Sequence, residues 1–187
     1  IPLAESDIKT VEIKLESFFT KVLSMIGKIT DQQIADLLKT NKQTVSVAES
    51  ITGGLIASRL TSTGGSSDFF VGGLVCYHPR IKVVHAGISA ALISKHGLVS
   101  KEVAIALAEN IRKKFRTDIG IASTGVAGPA PIPPAPVGKA YIALASSKET
   151  EWKELNLQGT RSEIREKVAQ AALGLLWLHL GGDEIIK

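Results

Sequence analysis

"QTVSVAESITGGLIASRLTS", residues 43–62, alternates apolar and polar side chains up to Ala48, meets a carboxylate and a hydroxyl, then passes two glycines. The alternation predicts a strand over "QTVSVAE", and the spacing after it predicts a helix over "GGLIASRLTS". Between them lies "AESITGG", residues 48–54. Two physical demands put glycines at such a junction. One is a tight turn. The other is a place where backbone N–H groups and a hydroxyl approach a bound molecule closely.

Outward from this junction the chain alternates between strand and helix patterns. Ile8, Val11, Leu15, Phe18, Phe19, Val22 and Ile26 fall at helical steps, and "TDQQIADLLKT" opens with a Thr30/Gln33 capping box. "FVGGLVCY" reads as a strand, and Pro79 suits the first position of the helix "PRIKVVHAG". "SAALISKHG" is a short helix stopped by Gly97. Ser100 caps the next helix, which buries Val103, Leu107, Ala108 and Ile111.

"DIGIAST" is a further buried strand, followed by the glycine- and proline-rich loop "GVAGPAPIPPAPVG". "KAYIALASS" and "EWKELNLQ" form a hairpin through "KET". The last helix is capped by Thr160 and Glu163, turns Ile164, Val168, Ala171, Ala172 and Leu175 inward, and stops at Gly181. Together these elements predict an α/β fold, a three-layer α/β/α sandwich with a mixed sheet over residues 42–187. Residues 1–41 are expected to form an N-terminal helical appendage. Ligands of open α/β sheets bind beyond the strand ends, which points to three loops: "ESITGG", "YHPRIK" and "STGVAGP".

The 187 residues are 44% hydrophobic, 21% charged and only 5% aromatic, the balance of an aliphatic layered protein. The formal charge of +4 concentrates in "RKKFR", Arg112 to Arg116, at the end of a helix, where cations complement the dipole. No basic stripe is interleaved with aromatic residues, so no nucleic-acid partner is expected. Cys76 is the single cysteine and sits in an apolar run, which suits a buried thiol and a reducing compartment. His78, His85, His96 and His179 lack metal-ligand spacing, so no metal is expected. No stretch is apolar and long enough for a bilayer, and no signal-peptide core opens the chain. The expected compartment is the cytoplasm, with an organelle left open because the chain begins at Ile1.

Ser50 is the first candidate for chemistry. A hydroxyl at a strand-to-helix turn can be held exposed, with helix N–H groups from Gly53 and Gly54 free for an oxyanion or phosphate. Alternatively Ser50 or Thr52 simply caps the helix. A serine nucleophile needs a base, and Lys82 is the better placed one, since a partly buried lysine can lose its proton near neutral pH. Otherwise it is an ordinary solvated lysine. Tyr77, at a strand end, could relay a proton or be a rim residue. Glu49 could hold the lysine charge, orient the site, or merely end its strand. In "STGVAGP", Thr124 could hydrogen-bond the reacting group while Gly125 and Gly128 let the protein backbone approach it; turn chemistry explains the same residues. Arg161 could grip a phosphate or lie idle on the surface.

"AESITGG", "GGLVCYHPRIK", "HGLVS", "STGVAGP", "PVG" and "QGTR" occur in that order from residue 43 to about 180. In this the chain resembles the CinA C-terminal domain family, whose members include nicotinamide-mononucleotide deamidases. The resemblance implies an α/β/α fold, a homodimer or higher homo-oligomer, and a small-molecule nucleotide substrate. It also implies hydrolysis of the carboxamide of nicotinamide mononucleotide to nicotinate mononucleotide and ammonia, without metal or cofactor. On matching positions it makes Ser50 the nucleophile and Lys82 its base, with Tyr77 and Thr124 assisting. Backbone at Thr52, Gly53 and Gly54 would bind an oxyanion or phosphate, and Glu49, Ser67, Gly125 and Arg161 would contact substrate.

Two positions depart from the family pattern. Ile51 replaces the family's cysteine, which leaves Ser50 as the nucleophile. After "AGP" the family carries a glycine-rich, charged stretch, whereas this chain has the stiff, uncharged "APIPPAPVG". That change keeps two alternatives open: a nucleotide-binding or scaffold paralogue with weak or no turnover, and a hydrolase of a different amide.

Overall fold

The computed structural model describes residues 29–182. The helical pattern of residues 8–26 lies outside them. The described chain opens with α1 (Asp31–Thr40), which Thr30 and Gln33 cap reciprocally. It continues through β1 (Val45–Glu49), α2 (Leu55–Leu60), a 3₁₀ turn at Ser66–Asp68, β2 (Phe70–Val75), α3 (Pro79–Val84) and α4 (Ala90–His96). Then come α5 (Lys101–Phe115), β3 (Ile119–Gly125), β4 (Lys139–Ala145), β5 (Thr150–Asn156) and α6 (Arg161–His179).

The five strands form one sheet in the order β2-β1-β3-β4-β5. β1 lies parallel to both β2 and β3, while β3–β4 and β4–β5 are antiparallel, so the sheet is mixed. Its two faces differ in residue size. One face presents Val45, Val47, Ile119, Ile121, Ile142 and Leu144 to the helices α1, α2 and α6. The other presents Ala48, Ala122, Ala143 and Ala145 to α5 and the segments around α3 and α4. Small residues let α5 lie close on that face. A Cβ at Gly120 would fall 2.2 Å from the Ala108 carbonyl, a contact no side chain can make. The result is the three-layer α/β/α sandwich with helices on both faces of an aliphatic sheet.

Local chemistry sets the element ends. Pro79 opens α3, Ser100 accepts from the Val103 N–H at the start of α5, and Thr160 with Glu163 closes a capping box on α6. Gly97 ends α4, and Gly181 follows α6 with φ +83°. Among the boundaries that shift from the sequence expectation, two adjoin the loops. β2 stops at Val75, leaving Cys76 and Tyr77 beyond the strand, and Thr150 belongs to β5, so the hairpin turns at Ser146–Glu149. There Ser146 accepts from the Lys148 and Glu149 N–H groups, which closes the turn before Thr150. α1 buries Ile34, Ala35 and Leu38 in the same cluster as β1 and α6. Among the described residues no helix is long and apolar enough to cross a membrane.

Candidate active site

Because β1, β2 and β3 are parallel, their C-terminal ends meet at one edge of the sandwich. The chain leaves β1 for β2 on one side and then crosses to β3 on the other. This is the topological switch point at which open α/β sheets form a crevice. Ser50 follows β1, Thr124 and Gly125 end β3, and Tyr77 and Lys82 follow β2. All five line one cavity of about 250 Å³, together with Arg161. A shallower cleft of about 750 Å³ lies at the opposite end of the sheet, between Asp118, Lys148 and His179. The smaller hollow is the one that holds a paired hydroxyl and amine, so the chemistry is placed there.

The pair is Ser50 and Lys82. Lys82 is 2% exposed, unusual for a lysine, and its Nζ lies 2.8 Å from Ser50 Oγ. Nζ also donates to the Cys76 carbonyl at 2.6 Å. The short helix α3 delivers it: Pro79 sets the first turn, His78 Nδ1 accepts from the Arg80 N–H, and Lys82 falls on the inward face. Burial pushes the Lys82 amine below the usual lysine range, opposed by a smaller attraction to Cys76. Among the described residues no carboxylate forms an ion pair with it. A neutral amine can donate one N–H to Cys76 and accept the Ser50 proton on its lone pair. The Cys76 thiol is fully buried, and burial raises its pKa, which suits the inert role expected of it.

The remaining polar groups surround this pair. Thr124, 1% exposed, donates to the Leu98 carbonyl at 2.9 Å. Tyr77 stands at the rim, 57% exposed, and its hydroxyl accepts from Arg161 Nη2 at 2.5 Å. Arg161 Nη1 also donates to the Gly128 carbonyl at 2.5 Å, so one guanidinium bridges the β2–α3 loop and the proline-rich loop across the cavity mouth. Ala130 and Ile132 of that loop complete the wall.

Several candidates take other places. Neither Ser50 nor Thr52 caps α2; Gly54, at φ +102°, occupies that position without a side-chain bond. Thr52 is fully buried, and its hydroxyl pairs with Ser123 Oγ at 2.8 Å. Thr52, Gly53 and Gly54 do not line the cavity. The Gly54 N–H expected to serve an oxyanion is already used, since it donates to Glu49 Oε2 at 2.9 Å. Glu49 therefore neither contacts substrate space nor pairs with Lys82; it is fully buried beneath the turn. Ser67 is not brought to the cavity. β2 runs parallel to β1, so the turn preceding β2 sits at the far end of the sheet, where Lys39 Nζ holds the Gly64 carbonyl. Sequence reasoning missed Arg165, whose guanidinium donates to the Ile51 and Thr52 carbonyls. Its signal was available: it lies one helical turn past Arg161, next to the buried Ile164.

Fold and site together define an α/β domain with a buried serine–lysine pair at the C-terminal ends of its parallel strands. The chain belongs to the CinA C-terminal domain family, whose model matches residues 28–180. It is 42% identical over 156 residues to a CinA-like protein of Koribacter versatilis, covering 83% of this chain and 38% of that protein. It is 37% identical over 179 residues to a putative competence-damage inducible protein of Desulforudis audaxviator, covering 91% and 43%. The chain thus spans about two fifths of the length of these relatives. Among solved structures it is similar to the competence/damage inducible protein CihA from Agrobacterium tumefaciens. That likeness has a TM-score of 0.75 at 30% identity and covers 86% of this chain and 95% of the other. A competence or damage-inducible protein from Enterobacter asburiae gives 0.78 at 26% identity, over 80% and 95%.

Proposed function

We propose that this domain is a metal-independent amidohydrolase that converts nicotinamide mononucleotide and water to nicotinate mononucleotide and ammonia. The observation that carries the reading is the 2.8 Å contact between a serine hydroxyl and a buried lysine amine in a cavity. An unactivated amide is a poor electrophile, so it needs an activated nucleophile. In the proposed cycle neutral Lys82 takes the Ser50 proton as Oγ attacks the carboxamide carbon. The protonated amine then gives that proton to the departing nitrogen, which leaves as ammonia. Water attacks the resulting ester, again through Lys82, and Ser50 is regenerated.

Arg161, at the cavity mouth, is the group suited to the 5′-phosphate. The substrate in this reading is a small nucleotide, and the chain works as a homodimer or larger assembly. Incubating the protein with nicotinamide mononucleotide should release ammonia and nicotinate mononucleotide in equal amounts. No ammonia above a protein-free control rejects the reading. Replacing Arg161 by methionine should raise KM for the mononucleotide by about 10- to 100-fold, the scale of a lost charge-assisted contact. KM for nicotinamide riboside, which lacks the phosphate, should change by less than about threefold. Equal losses for both compounds would remove Arg161 from phosphate recognition.

One feature favours a second reading, a nucleotide-binding paralogue without turnover. The proline-rich loop contributes Ala130 and Ile132 to the cavity wall, side chains that offer a ribose no hydrogen bond. Calorimetric binding of the mononucleotide with no product would select it.

A further inference from the structure

The turn carrying Ser50 is held from both sides by charge. Glu49 is fully buried, yet its carboxylate meets three backbone donors: Oε2 accepts from Gly54 at 2.9 Å and Ile56 at 3.1 Å, and Oε1 from Ala57 at 2.8 Å. From the other side, Arg165 Nη2 donates to the Thr52 carbonyl at 2.9 Å and Nε to the Ile51 carbonyl at 3.3 Å. An anion thus takes the N–H ends and a cation the C=O ends of peptides within residues 51–57.

The turn between them carries Gly53 at φ +60° and Gly54 at φ +102°, and the backbone bond that closes it, from the Leu55 N–H to the Thr52 carbonyl, is long at 3.4 Å. The fit is close: a Cβ at Gly53 would lie 3.1 Å from Arg165 Nη2. Glu49 reaches the base as well. Its carbonyl accepts the Cys76 N–H at 2.6 Å, and the Cys76 carbonyl accepts Lys82 Nζ at 2.6 Å.

We propose that Glu49 and Arg165 are positioning residues that clamp the 51–57 turn and thereby hold the Ser50 hydroxyl against Lys82. Neither touches the reacting atoms. The proposal rests on Ser50 being the nucleophile, though not on which amide it attacks. A displacement of about 1 Å between nucleophile and base is enough to cost about 10²-fold in rate. Arg165→Met keeps the aliphatic stem and removes the donors. Glu49→Gln keeps the shape but sets an NH₂ against backbone N–H groups, donor facing donor.

The test is the rate at which an alkyl fluorophosphonate labels Ser50, which reports the activated hydroxyl without any nucleotide. Measurements are made well below each variant's Tm and normalised to folded protein, so a purely stabilising role leaves the rate unchanged. Glu49→Gln and Arg165→Met should each slow labelling by about 10-fold or more. Kinetics with the mononucleotide should lose kcat with KM within about twofold. The double variant should be little slower than the worse single one, because both substitutions free the same turn. Labelling of either folded variant at the wild-type rate overturns the clamp. If Glu49→Gln does not fold, Arg165→Met decides alone. Wild type that labels but releases no ammonia from the mononucleotide refutes the substrate and leaves this comparison decisive. Wild type that does not label at all overturns the clamp together with the nucleophile.

Discussion

Ser50→Ala is expected to lower amide turnover by about 10⁵- to 10⁶-fold, the scale on which a serine hydrolase loses its nucleophile. The size follows from the cavity's inventory. Its other hydroxyls are committed elsewhere, Thr124 to the Leu98 carbonyl and Tyr77 to Arg161. The nearest thiol, Cys76, is fully buried with its pKa raised. No neighbour can take over covalent attack. The fold should survive, since an alanine fits wherever this serine does, and the loss falls on one polar contact. Lys82 Nζ keeps the Cys76 carbonyl and forfeits only Ser50 Oγ, so destabilisation should stay within about 1–3 kcal/mol. Ammonia release by the variant, with calorimetric binding of the mononucleotide as the control for an intact cavity, checks both halves. Turnover within about tenfold of wild type would show that the chemistry lies elsewhere.

What could be read from residue order was local or periodic. The two capping boxes, Thr30 with Gln33 and Thr160 with Glu163, depend on four consecutive residues and appear as expected. So does the prolyl start of α3, whereas the inward position of Lys82 was one of two that the sequence left open. Ser50, Lys82, Tyr77, Thr124, Gly125 and Arg161 could be gathered from the chain because each lies at or near the end of an element that the sequence marks, although β2 stops two residues before its apolar run does. Their convergence on one cavity then follows from parallel strand pairing.

What stayed hidden depended on direction in space. Ser67 stands close to the glycines of the first loop in sequence, but it precedes a parallel strand and therefore lies at the wrong end of the sheet. Glu49 was ambiguous for a different reason. A carboxylate at a strand end can point to a ligand, a lysine or its own backbone. The left-handed glycines at 53 and 54 turn the N–H groups of Gly54, Ile56 and Ala57 back onto it. The oxyanion role assigned to Gly54 failed with it, because one N–H cannot serve two anions fully. The contact distance between Ser50 and Lys82 is likewise a property of how a six-residue helix sits on the sheet, which no spacing rule contains.

Lys82→Met is expected to cost about 10³- to 10⁴-fold in turnover, and it separates the amine's charge from its bulk. Methionine fills the same channel with a side chain of similar length but offers no lone pair for the Ser50 proton. Lys82→Arg should not restore activity, because a guanidinium stays protonated at working pH. In the wild type, turnover should rise with pH as the amine passes through its lowered pKa, since only the neutral form accepts the proton. The residual rate of Lys82→Met should lack that limb. Stability should carry the same signature. Burial lowers the amine's pKa in the folded chain, while the unfolded chain keeps the ordinary value of 10.5. Below the folded value both states are protonated, and the folded state bears the full penalty of a buried cation. Between the two values the unfolded chain holds the extra proton, so wild-type stability climbs with pH until the penalty is gone. Lys82→Met has no such group. The unfolding free energy of wild type minus that of the variant should therefore increase with pH, in urea titrations, across the interval between the amine's lowered folded value and the unfolded 10.5. A difference that stays level across that range, or falls, would mean that Lys82 is not held as a buried base, and the activity assigned to its pairing with Ser50 would lose its physical ground.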